Sequence, residues 1–230
     1  MNLHSESFPL RAGMKMAQLL DKDFSLLGVF SRMGLDFGFS EASVDEVCRR
    51  SGTDTDTFLL ICSVYAVPGF RPSADDRVDL KEIVKYLHLS HSYYMDQVLP
   101  RLAQALERMT AGCQSKPRSV IRSFFSQYKE ELSKHFAYEE DYVFPYVNAV
   151  LEGRSGEGFS IAEYERNHSN VEEKLEDLKN LVMKYLPQGC DQSQAMLALV
   201  NIYTLEYDLE KHTIIEDEVL VPGVGRIENA

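Results

Sequence analysis

Two stretches of this chain repeat one chemical pattern. His135-Phe-Ala-Tyr-Glu139 runs on to Phe144-Pro145, and His212-Thr-Ile-Ile-Glu216 runs on to Val221-Pro222. Each has a histidine, a glutamate four residues later, then an apolar residue and a proline at the same offsets. Residues four apart on a helix project from one face with Cβ atoms ~5–6 Å apart. An imidazole and a carboxylate placed so can hold one metal ion together, or the carboxylate can bridge to a second. Pairs of surface His–Glu contacts are the ordinary alternative. The proline repeated at a matching offset makes a doubled coincidence rare, so the pattern reads as a metal site. The prolines themselves are expected to kink or end each helix just past the site.

A site inside a helical bundle draws ligands from several helices. His168 stands near the start of a third helical segment. A first segment offers His88 and His91, of which His91 is preferred because it precedes the apolar Tyr93-Tyr94-Met95 cluster; His4 is set aside. The candidate ligands are therefore His91, His135, Glu139, His168, His212 and Glu216. Glu172 also stands four after a histidine, but position 178 is Leu and the proline is missing, so it and Glu165 read as solvated. Two histidines per ion, two bridging carboxylates and a bridging oxygen give each of two metals about five ligands and an open position. That donor set suits iron better than a closed structural zinc, with manganese and zinc left open. Tyr94, Tyr138, Tyr142 and Tyr207 could hydrogen-bond a ligand or a bound diatomic, although core packing is the commoner use of such residues.

The elements that must position these residues are all helical. Segments from about Leu80 to Met109, Pro117 to Leu151, Ser160 to Leu186, and Asp191 to Pro222-Gly223 have helical periodicity. They predict an up-down-up-down four-helix bundle over residues 76–230. Ser160 with Glu163 has capping-box spacing, and Asp191 is a cap for the fourth helix. Residues 1–75 predict a small helical N-terminal domain. It contains a helix over Met16–Met33 ended by Gly34, a second capped by Ser43 and Glu46, and a third capped within Thr53–Asp56. Val67 to Asp79, with Pro68, Gly69 and Pro72, reads as the linker.

Composition bounds the partners. With 24 Lys and Arg against 36 Asp and Glu, the chain carries a net charge of -12. Residues 1–75 hold seven basic and ten acidic residues, so even the helix–glycine–helix there offers no basic recognition face. No nucleic-acid partner is expected. The longest apolar run, Phe58 to Val67, is far short of the ~20 residues of a membrane span, and the N-terminus lacks a secretory pattern. No membrane partner is expected, and the location expected is cytoplasmic. Cys48, Cys62, Cys113 and Cys190 form no Cys-x-x-Cys pair and are expected to be free thiols.

From about residue 80 to 222, in the two His-x-x-x-Glu…Phe/Val-Pro signatures, the chain resembles the hemerythrin-like, HHE cation-binding family. It looks closest to the branch that repairs iron–sulfur clusters after nitrosative or oxidative stress. The resemblance implies a non-haem di-iron centre, oxo- and carboxylate-bridged, on His91, His135, Glu139, His168, His212 and Glu216. It implies damaged iron–sulfur proteins, or a diatomic ligand such as nitric oxide or dioxygen, as partners. Reversible oxygen or nitric oxide binding, and di-iron oxidase or nitric oxide reductase activity, are the alternatives; a homodimer is compatible with any of them. The N-terminal region is similar to the small domain of the repair proteins, which usually carries a Cys-Cys pair after an Asp-aromatic step. Here Asp36-Phe37 is followed by Gly38-Phe39, so those thiols are missing.

Overall fold

The computed structural model describes residues 9–73, 76–113, 115–154, 159–162, 164 and 172–229. Among them helices and turns account for the regular structure, and a single antiparallel bridge ties Lys15 to Ser43. The chain groups into two compact units. One takes residues 1–90, 146–165 and 211–230, the other 91–145 and 166–210.

In the first unit, α1 (Met16–Leu20) and α2 (Leu26–Arg32) replace the single helix expected over 16–33. Asp23 explains the break. Its Oδ1 accepts the Ser25 backbone N–H at 2.8 Å, a local bond that competes with helix continuation. Helix α3 (Val44–Ser51) starts on a complete capping box: Ser43 Oγ accepts from Glu46 N–H while the Glu46 carboxylate accepts from Ser43 N–H. Gly52, at φ +74°, ends it in the left-handed conformation that glycine adopts without a Cβ penalty. Asp54 caps α4 (Thr55–Ala66), whose residues Phe58 to Tyr65 are all buried. An apolar helix of this kind belongs in a core on every side. Arg32 is buried with it: its guanidinium lies over the Tyr86 ring at 4.9 Å and donates to the Tyr65 hydroxyl at 3.2 Å.

Helix α5 (Leu80–Tyr93) continues through a π-helical turn, Tyr94–Val98, into α6 (Leu99–Met109). Helix α7 (Ser115–Tyr138) continues through a second π turn, Glu139–Val143, into α8 (Phe144–Leu151). Then come α9 (Glu172–Tyr185) and α10 (Gln192–Ile215), which runs through a third π turn, Glu216–Leu220, into α11 (Val221–Glu228). The expected capping box at Ser160 and Glu163 involves Glu163, outside the described residues. Asp191 does cap α10, accepting from the N–H groups of Ser193 and Gln194 at 2.9 and 3.1 Å.

The second unit's core interleaves Leu102, Leu106 and Met109 of α6 with Leu132 of α7, Leu175 and Leu178 of α9, and Ile202 and Leu205 of α10. Its two turns at Gly112 and Gly189 touch directly. The Asp191 N–H donates to Met109 O at 3.0 Å, and a Cβ on Gly112 would stand 2.8 Å from Gly189 O. Beside that contact Cys113 and Cys190 form a disulfide, which corrects the expectation of four free thiols; Cys48 and Cys62 remain free and buried. The close glycine approach makes a prediction. Gly112→Ala should cost about 1–3 kcal/mol, because the methyl meets backbone that cannot rotate away. Urea unfolding measures it, and wild-type stability in the variant would contradict the contact.

Candidate metal centre

The three π turns share one register. Tyr94, Glu139 and Glu216 each open a turn, and Pro100, Pro145 and Pro222 each follow six residues later. Just before each proline, Leu99, Phe144 or Val221 donates its N–H five residues back, to the carbonyl of Tyr94, Glu139 or Glu216. Proline brings no N–H of its own and its ring crowds the carbonyl four residues back. A widened turn relieves that crowding without breaking the helix, and such bulges recur at functional sites. Of the two expectations, a kink or an end, the second is therefore corrected: the helices run on through their prolines. The fourth helix passes Pro222-Gly223 and continues to Glu228.

Each His-x-x-x-Glu pair lies across the entry to a π turn. In the second unit His135 Nε2 stands 3.2 Å from Glu139 Oε1. His91 Nε2 stands 3.2 Å from the other oxygen of the same carboxylate, Oε2. One carboxylate thus presents each of its oxygens to a different imidazole. In the first unit His212 Nε2 stands 3.0 Å from Glu216 Oε1. Both glutamate side chains are buried, with relative exposures of 0% for the residues; His91 and His212 are at 4% and 2%. Among the described residues each unit thus offers buried donors of the kind that hold metal ions, His91 and Glu139 in one and His212 and Glu216 in the other.

The chemistry of the donor set fits a metal. Two donors on one ion at ~2.1 Å each, set at a right angle, stand roughly 3 Å apart, the spacing of these three pairs. Burial of two carboxylates is costly unless a cation or strong hydrogen bonds compensate, and imidazoles supply only part of that.

The other candidates divide. His88 is on the exposed face of α5, whereas His91, three residues on, is buried. His168, Glu165 and His4 lie outside the described residues, as does the side chain of Glu172. Tyr138 and Tyr142 are exposed and pair with each other, ring centroids 5.4 Å apart. Tyr94 is fully buried and its hydroxyl donates to Asp208 O at 3.4 Å. Sequence reasoning missed Glu140, whose Oε1 is 2.7 Å from His91 Nδ1. It also missed the register of the first helix. Ser90 and Tyr94 occupy the places of His135 and Glu139, so His91 is displaced by one residue from the motif. Pro100 was the signal that could have shown it.

A family model described as the hemerythrin HHE cation binding domain matches residues 82–224. Curated relatives include proteins called iron-sulfur cluster repair protein YtfE, from Escherichia coli O1:K1 and from Escherichia fergusonii. Each is 28% identical over 148 residues, which cover 62% of this chain and 65% of the relative. The match thus spans a little under two thirds of those relatives' length.

Proposed function

The chain belongs to the hemerythrin HHE cation-binding family, with the all-α hemerythrin-like bundle that goes with it, and from that premise we propose that it holds two iron ions in support of iron–sulfur cluster repair. The ligands in this reading are His91, His135, Glu139, His168, His212 and Glu216. The observation that carries it is the Glu139 carboxylate, whose two oxygens face two separate imidazoles at 3.2 Å. Were two ions bound, this carboxylate could offer one oxygen to each, beside the imidazole that faces that oxygen. Bound iron would supply redox chemistry, an exchangeable ion and a coordination position for a small molecule such as nitric oxide or dioxygen.

The residues of the chain do the holding. Among the described ligands His91, Glu139, His212 and Glu216 are buried away from water, and Glu139 and Glu216 are held in place by the π turns they open. The Cys-Cys pair of the repair proteins' small domain has no counterpart here. Positions 38 and 39 are Gly and Phe, and the free thiols are unreactive: burial pushes Cys48 up to about 12 and Cys62 well above its ordinary range. Iron supply, or reaction with nitrosative and oxidative species, therefore falls to the histidine–glutamate site. The proposal places the protein in the cytoplasm, with damaged iron–sulfur proteins as partners. Among the described residues no helix is long and apolar enough to cross a membrane.

Protein produced with ample iron is expected to carry about two irons per chain, and to restore activity to an iron–sulfur enzyme whose cluster nitric oxide has damaged. Metal analysis followed by that assay is the test. A chain that binds no transition metal sinks the whole reading. One that keeps its iron while changing its spectrum reversibly with nitric oxide or oxygen, and restores nothing, is a sensor or carrier.

A further inference from the structure

His91 is fixed by groups of its own unit. Its ring stacks on Phe136, centroids 4.1 Å apart and planes 15° apart, and more distantly on Phe144 at 5.4 Å and 14°. These two rings set the plane of the imidazole. Two carboxylates then compete for its edge: Nδ1 meets Glu140 Oε1 at 2.7 Å, and Nε2 meets Glu139 Oε2 at 3.2 Å. The side chain of Glu140 is 31% exposed, that of Glu139 not at all. A neutral imidazole has one N–H to give. Glu140 Oε1, at the shorter of the two contacts, is placed to accept it from Nδ1. The lone pair is left on Nε2, on the side of Glu139.

We propose that Glu140 is a positioning residue: by accepting the Nδ1–H of His91 it fixes the tautomer and aims the Nε2 lone pair at the metal position next to Glu139. The inference rests on the metal-site reading above. Metal-bound histidines commonly give their second N–H to a carboxylate or carbonyl, and removing that partner typically costs 10–100-fold in metal affinity. Neither motif spacing nor helical periodicity marks Glu140. It follows the motif glutamate by one residue, where a helix turns a side chain ~100° away, and only the displaced register of His91 brings it into use.

The test compares the full-length wild type with Glu140→Ala and Glu140→Gln. Nitrogen-15 NMR of the histidine rings in metal-free protein reads the tautomer directly. Wild type is expected to show His91 protonated on Nδ1. Glu140→Ala is expected to show the proton moved to Nε2, toward the Glu139 carboxylate that remains, and Glu140→Gln, whose amide oxygen still accepts, to keep it on Nδ1. Iron affinity by chelator competition is expected to fall roughly 10–100-fold in Glu140→Ala and less in Glu140→Gln. Circular dichroism confirms that each variant is folded. A wild-type tautomer and wild-type affinity in Glu140→Ala overturn the proposal. Wild-type protein that takes up no iron overturns the functional reading, while the metal-free tautomer measurement still decides whether Glu140 holds His91.

Discussion

A Glu139→Gln chain is expected to fold and to lose its metal. Glutamine has the shape of glutamate, and its amide can both accept from and donate to the two imidazoles that flank this position at 3.2 Å. What it cannot supply is negative charge. In the metal-free protein the exchange removes a carboxylate from a fully buried site, so its stability should stay within about 1 kcal/mol of wild type, or rise. In the presence of iron the two proteins should part. A ligand present at a thousand times its dissociation constant stabilises the folded state by about 4 kcal/mol. For a chain of this size that corresponds to a melting shift of roughly 8–16 °C. Wild type should show such a shift and Glu139→Gln almost none, with iron content falling from about two per chain toward zero if, as proposed, this carboxylate would serve both ions. Thermal melts with and without iron, paired with metal analysis, measure both. A Glu139→Gln protein that retains two irons would rule out the shared-carboxylate arrangement.

The second large effect concerns the disulfide. Cys113 and Cys190 are 77 residues apart in sequence, and cross-linking a loop of that length removes considerable freedom from the unfolded chain. The paired replacement Cys113→Ser with Cys190→Ser, or full reduction, is expected to cost about 2–4 kcal/mol. The glycine contact and the Asp191–Met109 hydrogen bond at the same place survive it, so the two turns should stay docked in the folded state. Urea unfolding with and without reductant measures the loss; equal midpoints would mean the bond contributes nothing. The same pair bears on location. Reducing compartments keep protein thiols reduced, so a cytoplasmic protein should yield four alkylated cysteines when cells are lysed directly into denaturant and alkylating agent, and an exported one two.

The sequence announced its chemistry more clearly than its connections. The His-x-x-x-Glu spacing could be read because helical geometry alone puts positions four apart on one face, and the contacts at His135–Glu139 and His212–Glu216 have that origin. The capping residues Ser43, Asp54 and Asp191 were readable for a similar reason, being local. Asp23 was not, because the same residue type fits an exposed helical position or a helix break, and the hydrophobic pattern ran on across it. The π turns could not be told from kinks. Proline reports only that the four-back hydrogen bond is lost, and whether a helix answers by bending or by widening depends on what it packs against. Partnerships across long separations, Glu140 with His91 and Cys113 with Cys190, depend on the tertiary arrangement, and no spacing rule reaches them.

The widened turns also govern which lengths of chain are admissible. Each amounts to one extra residue inserted into a helix, and its proline sits at a constant distance downstream. Deleting a residue between Glu139 and Pro145 would force an ordinary turn onto the ring and swing everything beyond it by ~100° about the helix axis. Phe144, which stacks on His91, would leave the imidazole behind. Substitutions can drift along these segments, but gaps cannot. Any comparison of this chain with a distant relative should therefore keep glutamate and proline six apart, and put its insertions elsewhere.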